Sequence, residues 1–592
     1  MPLPPFQTSL LPVGRLPLEV FKKLSASALP FVTAGLRPEL FPKARTGSLS
    51  RALLILGLAV LTLIGLGFRV NGLSTEGLSE DELNKLNAVS EYRAHGLTSA
   101  NGEHPFLMKA GLLISVVAAD KWNQTSLVAS HPELNVPVET SLRLPGALFG
   151  ALTAVLIFLV ASELFGLEVG LISAALWAFD PIAIGFSRIA KEDTFLIFFF
   201  LLASVFWLRG QRVAESQPQR RPEPFYWATA AALGAMFASK YVPPVMLAII
   251  VGYNYAFQRI PVTRWAIGKK RFLKFFLVMG IVFLICNPTI LLPGTWEAMS
   301  NFTSGRSMGH DSYEFLGRLY PHRFQDWLNG EPWYFYFVLI FTKLPTLTLF
   351  SFALGLVLLF RQKSGDGRYF LLLWLALWSL AFMTPGGKFT RYITSILPAI
   401  IIPAAIAVQF TARRLGRFCA RVFENESLKI YARAALASLV IISSFWAAVM
   451  AAPHYRLYMS ALGGSARAGS YFPQDEFYDA YMRDVMNEIA KRARSGAGVA
   501  SELPTVAAYY AERAKRPDLV CIDLSEPVEL ARLAPGDFVI DARGRTYLSN
   551  QAMLSRLRQA SRPAFTVAVG ATPAADVYVM DQTALTALRS ER

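Results

Sequence analysis

About eleven apolar runs, each roughly as long as a bilayer is thick, leave this chain few folds to choose from. A spanning helix needs about 20 mostly apolar residues. Runs of that kind fall near 51–68, 144–164, 168–186, 194–209, 226–240, 243–258, 272–292, 334–360, 369–385, 392–412 and 432–452. The pair 226–240 and 243–258 is short, with Pro243-Pro244 marking a tight turn between its members. The sequence therefore predicts a mainly α polytopic membrane protein. Composition agrees: 53% of the 592 residues are hydrophobic and only 17% are charged, against about a quarter charged in a soluble domain. The formal net charge of +16 fits Lys and Arg in cytoplasmic loops, and no nucleic-acid partner is expected. Three cysteines are too few for a disulfide framework.

Orientation follows from the Lys/Arg bias of short loops. Four basic loops alternate along the chain: Arg209–Arg221, Arg259–Lys274, Arg361–Arg368 and Arg413–Arg433. They share one side only if 105–120, a short apolar segment, lies at the interface instead of spanning. The N-terminus is then cytoplasmic, with 1–50 as a Pro-rich leader, and the membrane domain runs over 51–452. Exterior loops fall at 69–142 and 293–333, and the tail 453–592 also faces out. That tail changes character. Its segment 475–494 has helical apolar spacing, and short apolar runs follow at 519–523, 538–541, 565–569 and 576–580. A small exterior α/β domain is expected there, with no Gly-rich phosphate loop.

The first exterior loop carries the densest chemistry. It reads Ser79-Glu80-Asp81-Glu82-Leu83-Asn84-Lys85, followed about twenty residues later by Glu103-His104-Pro105-Phe106-Leu107-Met108-Lys109. A carboxylate at a membrane surface can serve as a general base when burial or neighbours tune it. By spacing alone, three consecutive acids read more readily as a solvated loop. The second exterior loop is rich in polar and aromatic residues, Arg306, His310, Tyr313, His322, Trp327 and Glu331 among them. It suits a carbohydrate-facing lid or an ordinary aromatic belt.

Taken together, the two segments of the first loop resemble the Asp-Glu and His-Pro-Pro-Leu-x-Lys signatures of protein O-mannosyltransferases. These enzymes belong to the GT-C membrane glycosyltransferases, as do the aminoarabinose lipid A transferases and oligosaccharyltransferases. Arg143-Leu144-Pro145-Gly146, the stretch Asp180-Pro181 to Arg188 with Asp193, Lys240, and Gly387-Lys388-Phe389-Thr390-Arg391-Tyr392 extend the resemblance over residues 50–412. Phe106 replaces the second Pro, Glu103 precedes the His, and Phe389 stands where the family has a late His. These departures point to a bacterial relative, expected in the inner (plasma) membrane with its C-terminal domain periplasmic or extracellular.

The resemblance implies a GT-C-like fold and a donor of polyprenyl-phosphate-linked sugar, transferred with inversion to an acceptor protein, lipid or glycan. It makes Asp81 the base and Glu82 its neighbour. Glu103, His104, Lys109, Arg188, Asp193, Lys240, Lys388, Arg391 and Tyr392 become substrate-binding candidates. Cations at span ends would stabilise the leaving phosphate, although Arg188 and Lys240 read equally as interfacial anchors. The resemblance also admits a divalent metal between Asp81, Glu82, Glu103 and His104. Their spacing is not a zinc signature, so no cofactor is expected. Two other classes share the hydropathy: a transporter or flippase of lipid-linked glycans, and a non-catalytic envelope assembly protein. A transporter usually places its acids near the midplane of repeated halves, a pattern not found in this sequence.

Overall fold

A computed structural model describes residues 48–216, 219–241, 245–250, 268–304, 311–323, 326, 329–361 and 367–589. The expected leader up to residue 47, most of the 243–258 span, and Arg306, His310 and Trp327 lie outside the described residues.

Helices form where the apolar runs predict them. Five are long and apolar enough to cross a membrane among the described residues, six if one bent pair is counted as a single span. They are α1 (Ser48–Val70), α4 (Val138–Phe165), α7 (Asp193–Ser216), α14 (Leu397–Val422) and α15 (Ser427–Ala451). The bent pair is α5 (Leu167–Phe179) and α6 (Pro181–Ser187), which meet at 59°. The bend is written into Asp180-Pro181. Proline suits a first helical position, and the Asp180 carboxylate accepts a bond from the Ala183 N–H at 2.9 Å, so a new helix starts there. Shorter apolar helices are α8 (Glu223–Phe237), α9 (Gly268–Cys286), α12 (Thr346–Leu359) and α13 (Gly367–Met383). The expected single run 334–360 is in fact two helices, α11 (Phe335–Lys343) and α12. They part at Leu344-Pro345, because proline supplies no N–H and disfavours helix in the residue before it.

Peripheral and central helices differ in what their apolar side chains touch. On α1, Leu53, Leu56 and Leu63 are exposed, as a lipid-facing helix requires. On α7, Phe200, Leu201 and Ala203 are fully buried. One continuous core joins α4, α5, α7, α8, α13 and α14, with Trp177, Trp374 and Trp378 inside it. At one end of the bundle Glu168 binds Arg413 at 2.8 Å and Arg433 at 3.1 Å, tying α5 to α14 and α15. The loops that carry Asp81, Arg188, Lys240 and Arg391 gather at the other end.

Between α1 and α4 lie α2 (Glu80–His95) and α3 (Phe106–Asn123). Further on are α10 (Pro293–Thr303) and a hairpin of β1 (Ser312–Phe315) with β2 (Arg318–Pro321). The tail holds β3 (Gly498–Ser501), β4 (Val520–Asp523), β5 (Phe538–Ala542), β6 (Phe565–Val569) and β7 (Thr572–Val579) in the order β4-β3-β5-β7-β6. Strand β3 pairs parallel with β4 and β5, and β7 pairs antiparallel with β5 and β6. Four strands match the expected runs; β3, which lies between β4 and β5, falls in a Gly/Ala-rich stretch too weakly patterned to read.

The expected single helix over 475–494 is interrupted. A short turn of helix, Pro473–Phe477, ends where Tyr478 and Asp479 take positive φ of 49° and 58°, and α16 (Met482–Arg492) begins afterwards. Phe477, Tyr481, Val485 and Ile489 still share a buried cluster, which also includes Leu78, Leu83 and Val89 of the first loop region. The tail and the first loop are therefore built around one core.

Candidate active site

The site begins with a helix cap. Ser79 and Glu82 form a capping box at the start of α2: the Ser79 hydroxyl accepts from the Glu82 N–H, and Glu82 accepts from the Ser79 N–H at 3.1 Å. The Glu82 carboxylate, fully buried, also accepts from Arg143 Nε at 2.8 Å, Arg143 Nη2 at 2.7 Å and the Ala190 N–H at 3.1 Å. These donors hold it below the usual carboxylate range, against the opposing effect of burial. Arg143 in turn donates to the carbonyls of Leu73, Glu76 and Gly77. Glu82 thus fixes the helix start to α4 and to the 188–192 turn.

Asp81, one residue earlier, points elsewhere and keeps 36% of its side chain exposed. Its Oδ2 meets Lys191 Nζ at 2.7 Å and accepts from the Tyr478 hydroxyl at 3.0 Å. Burial of the site tends to raise its pKa, but Lys191, Arg391 and Lys85 outweigh this and hold the carboxyl well below the usual range. It is ionised at any physiological pH.

The turn Lys191-Glu192-Asp193 links the expected site residues. Lys191 takes Asp81. Glu192 takes Lys85 at 3.1 Å and His104 Nδ1 at 3.4 Å. Asp193 takes Lys240 at 2.5 Å and faces Arg391 Nε at 3.9 Å. Burial pushes His104 well below its ordinary pKa, so its imidazole is neutral. Burial also lowers Lys191, to about 8. Lys240 lies 4.4 Å from the centre of the Tyr392 ring, and the Arg391 guanidinium lies 3.8 Å from that of Phe389. Asp81, His104, Asp193, Lys240, Arg391 and Tyr392 therefore converge on one constellation.

The remaining expected residues sit around it with their polar groups engaged by the fold. Arg188 donates to the carbonyls of Phe68, Arg69, Asn71 and Gly72, closing the C-terminal end of α1. Lys109 donates to the carbonyls of Ala100 and Asn101, at 3.1 and 2.7 Å. Burial lowers its pKa to about 7. Glu103 accepts from Asn101 at 2.6 Å. Lys388 is buried, and its ammonium donates to the carbonyls of Glu331, at 2.6 Å, and Pro385. Glu331 in turn pairs with His322 at 2.6 Å.

The four candidate metal ligands are separately engaged, Asp81 with Lys191, Glu82 with Arg143, Glu103 with Asn101 and His104 with Glu192. Among the described residues no three His, Cys, Asp or Glu side chains gather as a cation would need.

Several members were missed in the sequence. Lys191 and Glu192 were signalled: three charges in a row between two apolar runs, with no polar loop to solvate them, are costly at a membrane surface and usually functional. Lys85 lies four residues after Asp81, on the same helix face. Tyr478 and Asp475 gave no local signal, since the tail folds back across about 400 residues to reach Asp81.

Residues 133–291 match the family model for dolichyl-phosphate-mannose-protein mannosyltransferase. No curated protein matches the chain by sequence. Among solved structures, apo ArnT from Cupriavidus metallidurans is 14% identical with a TM-score of 0.48, over 90% of this chain and 98% of that one. The Archaeoglobus fulgidus oligosaccharyltransferase AglB, in complex with an inhibitory peptide and a dolichol-phosphate, is 12% identical with a TM-score of 0.48, over 82% and 65%. The S. cerevisiae protein O-mannosyltransferase complex bound to its sugar donor is 19% identical with a TM-score of 0.31, over 39% and 33%. The matched segment contains Lys191, Glu192, Asp193 and Lys240 of the constellation around Asp81, together with the loop-fixing Arg143 and Arg188. Over residues 133–291 this chain thus matches the dolichyl-phosphate-mannose-protein mannosyltransferase family model, as its resemblance to the protein O-mannosyltransferases implied.

Proposed function

We propose that this chain is an inverting membrane glycosyltransferase that moves a sugar from a polyprenyl-phosphate donor to an acceptor at the exterior face of the membrane. Its N-terminus is then cytoplasmic and its C-terminal α/β region exterior. The reading rests on one observation above all: a part-exposed carboxylate, Asp81, shares a constellation with Lys191, Lys240 and Arg391 at one end of a helical bundle. Asp81 takes the proton of the acceptor's nucleophile as that atom bonds to the anomeric carbon. The bond from that carbon to the phosphate oxygen breaks on the opposite face, and its electron pair leaves on the polyprenyl phosphate. Phosphate is a good leaving group, so no general acid is required, only cations to hold the growing charge. Arg391 and Lys240, tethered by Asp193, supply them.

A carboxylate held so strongly acidic is a weak base in the ground state. It acts as the reaction proceeds, because bond formation makes the attacking group's proton steadily more acidic. Neutral His104 and Glu103 line the acceptor side. Glu82, Arg188, Lys109 and Lys388 position the loops that carry the reacting groups.

A transfer assay on purified protein with several polyprenyl-phosphate sugars tests the reading. Asp81→Asn, which keeps shape and removes the base, is expected to lower turnover roughly 10²–10⁴-fold. Transfer by the folded variant at the wild-type rate refutes the assignment.

A further inference from the structure

In parallel α/β sheets, ligands bind outside the carboxyl ends of the strands where the strand order reverses. In this tail the reversal falls at β3, flanked by β4 and β5. The edge beyond β5 is occupied by the chain's own segment 474–479. Gly544 packs so tightly there that a Cβ would lie 2.2 Å from the Gln474 nitrogen. Arg545 grips Asp479 with two bonds of 2.7 Å, both side chains buried. Asp479 also accepts from the Glu80 N–H at 3.1 Å, the residue next to Asp81.

Two side chains of this segment reach the constellation. Tyr478 donates to Asp81, and Asp475 faces Arg391 Nη1 at 3.7 Å. The other oxygen of Asp475 accepts from the Thr390 N–H and the Tyr313 hydroxyl, both at 2.7 Å, so it also fixes the turn that carries Arg391. Delivery of the Tyr478 phenol requires left-handed backbone at both Tyr478 and Asp479. Such strain persists only where surrounding contacts over-determine it, and it concentrates at functional sites. Here the Arg545–Asp479 pair and the Glu80 N–H supply those contacts.

We propose that the C-terminal region is part of the active site, with Tyr478 a positioning residue for Asp81 and Asp475 one for Arg391. The proposal rests on the glycosyltransferase reading. Asp81 has two ligands, and with Lys191 alone its carboxylate can rotate about the remaining ion pair. The phenol fixes which oxygen faces the acceptor. The role of Tyr478 belongs to the chemical step, and that of Asp475 to donor affinity through Arg391.

The test compares Tyr478→Phe and Asp475→Asn with wild type in the full chain, measuring kcat, donor KM and the thermal midpoint. Tyr478→Phe removes one hydroxyl from a site where the ring keeps its contacts. Its kcat is expected to fall about tenfold, the scale of one hydrogen bond to a charged group. Donor KM and thermal midpoint should stay at wild-type values. Asp475→Asn is expected to raise donor KM several-fold through Arg391. Wild-type kcat in Tyr478→Phe overturns the proposal, as does a loss that tracks a fall in thermal midpoint. Asp81→Asn separates the two levels: if it transfers like wild type, the glycosyltransferase reading fails, whereas an inactive Asp81→Asn beside a silent Tyr478→Phe sinks only the positioning role.

Discussion

Glu82→Ala separates the two neighbouring carboxylates. The Glu82 side chain is 0% exposed and Arg143 only 4% exposed, joined by two short bonds. Removing one partner of a buried pair leaves an uncompensated charge and typically costs about 3–5 kcal/mol. Loss of the Glu82 half of the capping box, one bond from the Ser79 N–H, adds about 0.5–1.5 kcal/mol. Against this, Arg143 keeps three carbonyl acceptors, at 2.7, 2.9 and 2.6 Å, which soften the first term. About 3–5 kcal/mol in total is the expectation. Because folding holds Glu82 below its ordinary pKa, its contribution is complete at neutral pH and is lost only as pH falls through the folded value. The measurement is therefore made near pH 7. Thermal unfolding followed by tryptophan fluorescence, with turnover per folded molecule measured below the transition, gives both readouts. Glu82→Ala should melt well below wild type, while Asp81→Asn, whose side chain is part-exposed, should melt much nearer to it and yet lose far more turnover. If Glu82→Ala melts like wild type while losing activity, Glu82 works in the chemistry and the division of labour between Asp81 and Glu82 is refuted.

Two further outcomes follow from the same geometry. Lys191 has its pKa lowered to about 8, so it is a cation at pH 7 and largely neutral by pH 9. Turnover should fall as pH rises through about 8, and Lys191→Arg, charged throughout, should move that alkaline limb upward; an unmoved limb refutes the role. At Gly386 a Cβ would lie 2.1 Å from the Asp326 carbonyl oxygen and 2.8 Å from that of Arg323. Gly386→Ala should therefore displace the turn leading to Arg391 and raise donor KM, whereas unchanged kinetics would show that this turn does not set the position of Arg391.

Periodicity and run length made the helices legible, because a bilayer rewards the same apolar length wherever it occurs. Turn chemistry was legible too, at Asp180-Pro181, whereas Leu344-Pro345 is masked by the continuous apolar run on either side of it. Strand β3 and the break at Tyr478 were not legible. The first is made of small residues with little alternation. The second contradicts a good local helix pattern, because the contacts of Asp479 with Arg545 and with the Glu80 N–H outweigh local propensity.

By itself the sequence determined that the chain is a bundle of apolar helices and that Asp81 lies in its most chemically dense loop. The family resemblance there, and over 133–291, needs only local order. The tertiary structure alone decided which charges meet. Asp81 and Glu82 are adjacent in the chain and chemically identical in kind, yet a helix turns consecutive side chains about 100° apart. One is buried against Arg143 and the other opens toward Lys191 and Tyr478. Burial and partner choice depend on residues up to about 400 positions away, and no local pattern encodes them.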